Sequence, residues 1–195
     1  MSVAMEWLAP DGAWNVEGQG VLLRPPRRTD YEEWAALREQ SRAFLQPWEP
    51  SWPADDLTRT AFKRRLAAYQ RERAEGIAYR FLVFRSDDGA LVGGLSLSNI
   101  RRGVAQTATL GYWAGASFAG RGYTTAAVRA ATRFAFDRLW LHRVEAACVP
   151  ENARSSHVLL KCGFRPEGRA RAYLQIDGRW RDHDLFGIVR GEEPR

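Results

Sequence analysis

The chain has 195 residues, 45% of them hydrophobic and 27% charged, with a formal net charge of +6. That length supports one globular domain with a sizeable core, and no run reaches the ~18 consecutive apolar residues of a membrane span. Cys148 and Cys162 make neither a disulfide scaffold nor a CxxC site, and His142, His157 and His183 lack the spacing of zinc ligands, so no metal is expected.

The N-terminal MSVAMEWLAP has no basic start and no apolar run, which argues against a signal peptide and for the cytoplasm. Residues 1–18 read as a Trp-containing leader, 19–190 as the domain and 191–195 as a tail. Residues 20–24 read as a short strand. Thr29 and Glu32 have the spacing of a capping box, opening a helix that must stop before Pro47. Three prolines in Gln46-Pro47-Trp48-Glu49-Pro50-Ser51-Trp52-Pro53 forbid helical hydrogen bonding there. A second helix is expected over 56–75, closed by Gly76.

Strands follow at 79–85, 91–99 and 105–113, as an antiparallel meander. A helix begins just after Gly122, and a strand over 142–149 should pair in parallel with the strand before that helix. Asn152 caps a short helix that ends at Gly163. Residues 164–176 and 179–189 form a hairpin across Asp177-Gly178, a favoured type I′ turn. The expected fold is α/β (α+β), a mixed, mostly antiparallel sheet of about seven strands flanked by about four helices.

The most informative stretch is Leu110 to Ala127, LGYWAGASFAGRGYTTAA. A strand runs through small residues into Ala119-Gly120-Arg121-Gly122, and a helix starts at once. Uncovered backbone N–H groups at a helix N-terminus favour an anion, above all a pyrophosphate. A Walker loop is excluded because Tyr123 and Thr124 replace Lys and Ser/Thr. A dinucleotide fingerprint is weak because Thr125 replaces its third Gly or Ala. A glycine turn that only lets the strand meet the helix is the remaining alternative.

The loop resembles the acetyl-CoA pyrophosphate loop of the GNAT N-acetyltransferases, Gln/Arg-x-x-Gly-x-Gly/Ala. Ser117-x-x-Gly120-x-Gly122 matches its glycines and departs at the first position, where Arg121 would supply the missing charge. Asn152-Ala153-Arg154-Ser155 and Cys162-Gly163-Phe164 resemble the family's second cofactor segment. Phe44 to Pro50, Ser98 to Gly103 and Tyr173 to His183 resemble the ribosomal-protein-alanine N-acetyltransferase (RimJ-like) branch.

The resemblance implies direct attack of an amine on the acetyl-CoA thioester. It implies cofactor contacts from Leu110, Tyr112, Trp113, Phe118, Ala119, Gly120, Arg121, Gly122, Tyr123, Thr124, Asn152 and Ser155. Trp48, Glu49, Asn99 and Arg102 would line the acceptor groove, with Glu49 as base or ammonium anchor. Tyr173, preferred over Ser155, would protonate the leaving thiolate. Cys148 reads as core.

The acceptor implied is a protein N-terminus, on the resemblance an N-terminal alanine of a ribosomal protein, and the enzyme a monomer or homodimer. A small-molecule amine such as an antibiotic is the enzymatic alternative. Seven basic residues against three acids over 151–181 leave open a non-catalytic ribosome- or RNA-binding module. Helix-turn-helix and RNA-recognition signatures are missing, and DNA binding is not expected.

Overall fold

The structure, a computed structural model, describes residues 14–192; the leader's residues 1–13 and the tail's 193–195 lie outside it. One mixed sheet has the order β1-β2-β3-β4-β5-β6-β8-β7. Its strands are β1 (Val16–Gly18), β2 (Val21–Arg24), β3 (Tyr79–Arg85), β4 (Leu91–Arg101), β5 (Thr107–Ala114), β6 (Arg143–Cys148), β7 (Arg165–Ile176) and β8 (Arg179–Val189). β5 and β6 pair in parallel, and the other pairs are antiparallel. The helices are α1 (Tyr31–Gln40), α2 (Arg42–Leu45), α3 (Arg59–Ala74), α4 (Tyr123–Asp137) and α5 (Ala153–Lys161). None of the described helices is long and apolar enough to cross a membrane.

The eighth strand is β1, inside the segment read as leader; Val16 pairs with Leu23 at the sheet edge. The fifth helix arises because the first one breaks at Ser41. There the Ser41 N–H still bonds Leu37 O, while its hydroxyl accepts the Ala116 N–H at 2.9 Å, tying the break to the segment after β5.

Two helix starts differ from expectation. Thr29 does not cap α1: a 3-10 turn over Arg28–Asp30 precedes it. The buried Asp30 carboxylate turns instead to the Arg24 guanidinium, at 2.7 and 2.8 Å, and to the Arg27 N–H. A charge-assisted fork outcompetes a neutral cap. α3 starts at Arg59 because Thr58 caps it, accepting the Ala61 N–H at 3.1 Å. The proline-rich run contains one 3-10 turn, Gln46–Trp48, with Pro47 near its start where no N–H is needed.

Side-chain alternation divides the sheet's two faces. Phe81, Val83, Leu97, Ala108, Leu110, Val144 and Ala146 pack with α4 and α5 residues such as Val128, Phe134 and Leu159. Leu82, Phe84 and Leu91 point the other way, to Trp34, Leu37, Phe62 and Leu66 of α1 and α3. Each buried Val, Leu or Phe among them contributes about 1.5–3 kcal/mol. The β7–β8 hairpin turns at Asp177 (φ 45°) and Gly178 (φ 76°), both left-handed as a type I′ turn demands.

Candidate active site

β5 and β6 part company at the centre of the sheet. Their ladder runs from Thr107–Arg143 to Leu110–Ala146, yet β5 continues to Ala114 and β6 to Cys148. The Gly115 N–H donates to Val92 O at 2.9 Å, and Ala114 lies opposite Gly93. Alternation therefore turns the N–H groups of Gly111 and Trp113 toward β4, and those of Tyr112 and Ala114 toward β6, where the ladder has ended. A backbone donor facing such a gap suits charge developing on an acyl oxygen.

The gap leads to the glycine loop. After a 3-10 turn at Ala116–Phe118, Gly120 (φ 75°) and Gly122 (φ 88°) hold the chain left-handed, and Gly122 is the N-cap of α4. Among the described residues, no protein acceptor meets the N–H groups of Gly120, Arg121 and Gly122. Those of Tyr123, Thr124 and Thr125 are first-turn donors, and the Ala126 N–H makes the first intrahelical bond, to Gly122 O. A Cβ built on Gly120 or Gly122 would meet nothing within 4 Å, so both glycines face open space. Phe118 packs edge-on to Tyr123, and Arg121 is exposed. The residues present fit a pyrophosphate: a cradle of N–H donors at the positive end of a fifteen-residue helix.

On the α5 side of the gap, the Tyr112 hydroxyl lies 2.8 Å from Ser155 Oγ and donates to Ser155 O at 3.1 Å. Asn152 caps α5, its Oδ1 accepting the Ser155 N–H at 3.1 Å. Burial pushes the Tyr112 phenol above its ordinary pKa, against the opposing effect of its Ser155 hydrogen bond, so it stays neutral. Cys148 is buried in the core, as its apolar strand suggests, and burial raises its thiol.

The opposite face carries a second cluster. The Arg38 guanidinium grips Glu49 with two bonds of 2.8 Å. Trp52 Nε1 donates to the same carboxylate at 2.8 Å. Arg38 stacks 4.0 Å from the Trp52 ring centroid and 4.9 Å from that of Trp113. The Glu49 carbonyl accepts the Asp177 N–H at 2.9 Å, joining the proline-rich loop to the hairpin tip. Trp48 is half-buried in the same loop.

Some expected site residues sit elsewhere. Trp113 packs under Arg38 in the α1–α3 layer, on the face opposite Tyr112, because odd-numbered β5 residues point that way. Leu110 is a core residue of the α4 face, 3% exposed. Arg102 bonds Leu139 O, beyond the C-terminus of α4 and thus a helix length from the glycine loop. Asn99 lies nearer the gap, its amide 3.4 Å from Thr109 Oγ1. Tyr173 does not join Ser155: it lies 48% exposed on the edge strand β7, edge-on to His183, with β8 between it and β6.

Sequence reasoning missed Arg38, Trp52 and the Tyr112–Ser155 contact. Arg38 had a signal: it falls on the buried stripe Trp34-Leu37-Arg38-Ser41-Leu45, at helical spacing, where a lone cation needs a partner.

The profile of the acetyltransferase (GNAT) domain matches residues 21–165. The chain belongs to the GNAT family. It is an N-acetyltransferase, as its relatives are. The [ribosomal protein uS5]-alanine N-acetyltransferase of Escherichia coli is 35% identical over 162 residues, 82% of this chain and 84% of that one. A probable N-acetyltransferase of Bacillus subtilis, YjcK, is 35% identical over 178 residues, 91% and 98% of the two chains. Mycobacterium smegmatis RimJ, solved in complex with CoA-disulfide, superposes with a TM-score of 0.85 at 34% identity, covering 93% of this chain and 88% of that one.

Proposed function

We propose that this GNAT enzyme transfers the acetyl group of acetyl-CoA to a protein N-terminal amine, the alanine terminus of a ribosomal protein being the first acceptor to try. The observation that carries the donor half is the cradle of N–H groups at Gly120–Gly122, unpaired among the described residues, at the start of α4 in the segment that leaves β5 where it parts from β6. The acceptor half is supported by the likeness to the E. coli uS5-alanine enzyme over most of both chains.

In this reading the backbone from Gly120 to Thr124, with Arg121, holds the pyrophosphate. Asn152 offers its free amide N–H groups along the cofactor arm, because its Oδ1 is committed to Ser155. The Tyr112 N–H faces the thioester oxygen. Ser155, held by Tyr112, returns the proton to the departing thiolate in preference to Tyr173, a residue of the edge strand. The amine comes from the other face, past Asn99, Trp48 and Glu49. An α-amine has a pKa near ~8, so it reaches the neutral nucleophile without a strong base.

Thiol release from acetyl-CoA is the test, with an Ala-starting peptide that also contains a lysine set against a panel of small amines. Mass spectrometry should place the label on the peptide N-terminus. Labelling mainly on lysine, or turnover of small amines alone, would overturn the acceptor assignment.

A further inference from the structure

Glu49 is bonded more heavily than a loop carboxylate needs to be. Both its oxygens accept from Arg38, one accepts again from Trp52, and its carbonyl holds the hairpin tip through Asp177. Arg38 itself is only 7% exposed, and its Nε is a buried donor without a hydrogen-bond partner among the described residues. Such an orphan is a cost to stability, so α1 holds a guanidinium where a packed aliphatic would be simpler. The guanidinium also lies against Trp113, within the stretch of β5 that has lost its β6 partner. The ion pair is therefore built onto the acceptor face of the reaction gap.

We propose that Arg38 is a positioning residue for the amine: it fixes Glu49 as an oriented anion that receives the incoming ammonium and is not the base. This rests on the N-terminal acetyltransferase reading. The Arg38 fork holds both Glu49 oxygens, so the carboxylate is fixed in orientation as an acceptor. Oε1 accepts one bond, from Arg38, and keeps a lone pair for an ammonium N–H. The ammonium then loses its proton to water. Through the Glu49 main chain the same fork holds the proline-rich loop against the Asp177 turn, so Arg38 also sets the distance between the two walls of the groove. Lysine cannot replace it, since one ammonium neither forks onto a carboxylate nor spreads its charge over two indole rings.

Steady-state kinetics on Arg38→Lys, Glu49→Gln and Trp52→Phe, with an Ala-starting peptide and acetyl-CoA varied in turn, test the proposal. Arg38→Lys and Glu49→Gln should raise the peptide KM about tenfold or more while the acetyl-CoA KM moves less than about twofold. In Glu49→Gln the acid limb of kcat/KM should persist, and in the wild type that limb should move with the α-amine pKa when peptides of different N-terminal basicity are compared. Trp52→Phe keeps the ring over Arg38 and removes one bond to Glu49; a peptide KM raised about threefold keeps the test alive should Arg38→Lys fail to fold. Loss of the acid limb in Glu49→Gln would make Glu49 the base and overturn the proposal. A peptide KM unmoved in all three variants would overturn it too. A wild type that acetylates small amines and no peptide would instead overturn the acceptor reading, and this inference with it.

Discussion

Tyr112 and Trp113 are neighbours in sequence and serve opposite faces of the sheet: the Tyr112 hydroxyl meets Ser155 on α5, and the Trp113 ring meets Arg38 on α1. Two consecutive residues of β5, just past its last pairing with β6, thus connect the side from which a thiol would leave to the side from which an amine would arrive. Alternation alone sends these two neighbouring side chains to opposite faces of the sheet.

The first prediction concerns the proton for the leaving thiolate. Ser155→Ala should lower kcat by roughly 10²–10⁴-fold, the usual cost of losing a positioned acid, with acetyl-CoA affinity nearly unchanged. Tyr112→Phe, which removes the hydroxyl 2.8 Å from Ser155 Oγ, should lower kcat less. Tyr173→Phe should turn over at near the wild-type rate. Thiol-release rates at saturating substrate decide it. A crippled Tyr173→Phe beside a normal Ser155→Ala would return the acid role to Tyr173, and normal rates in both would leave water as the donor.

A second prediction separates the cofactor cradle from backbone strain. Gly122→Val places a branched side chain in the open space over the loop and forces a β-branched residue to φ 88°, at a cost of roughly 1–2 kcal/mol. Gly103→Val meets a comparable φ of 64°, also in open space, in the turn between β4 and β5. Both variants should fold with similar losses of stability. Calorimetric titration should find acetyl-CoA binding abolished in Gly122→Val and intact in Gly103→Val. Equal affinities in the two would remove the loop from the cofactor site.

Much of this arrangement was legible in the sequence because it is local. The β3–β4–β5 meander, the parallel step to β6, the left-handed glycines before α4, the Asn152 cap and the Asp177-Gly178 turn each follow from a few adjacent residues. What escaped was decided across the fold. Asp30 ties the start of the first helix to Arg24, six residues back, and the second helix opens after Thr58 rather than at Asp56, which pairs with Arg65. Glu49 stood out as base or ammonium anchor, but its partner Arg38, eleven residues away on a helix, was not legible beside it. The place of Tyr173 was not legible because strand order is not written in sequence order: β8 inserts between β6 and β7 and leaves β7 at the edge.

A third prediction uses the thiols. Burial raises both Cys148 and Cys162, the latter to about 11 despite the opposing influence of Arg129. Only the thiolate is alkylated, so the folded protein should resist iodoacetamide at neutral pH, with Cys162 becoming reactive only as the pH climbs toward that value. The unfolded thiol ionises near 9.0, so the contribution of Cys162 to stability is complete below that pH and is lost as pH rises toward about 11. Mass spectrometry after timed alkylation, with and without denaturant, measures the protection. Rapid modification of the folded protein at neutral pH would show that these thiols are not held in the core.

The last prediction asks whether Asn152 is more than a cap. Its Oδ1 accepts the Ser155 N–H at 3.1 Å, which any capping oxygen would do. Asn152→Ala removes that bond and should cost about 0.5–2 kcal/mol, the usual loss of a helix cap. For a chain of this size that lowers Tm by roughly 2–4 °C per kcal/mol. Asn152→Asp keeps an accepting oxygen and places a negative charge at the helix N-terminus, so its Tm should match or exceed that of the wild type. The two variants part on the cofactor. Asp lacks the amide N–H groups that Asn152 would turn toward the pantetheine arm, and it brings an anion toward a polyanionic ligand. Acetyl-CoA affinity should therefore fall in Asn152→Asp although stability does not, and in Asn152→Ala both should fall. Thermal unfolding and calorimetric titration on the same preparations read the two quantities independently. An Asn152→Asp variant with wild-type affinity would reduce Asn152 to a helix cap and leave the cofactor arm to the backbone of the gap.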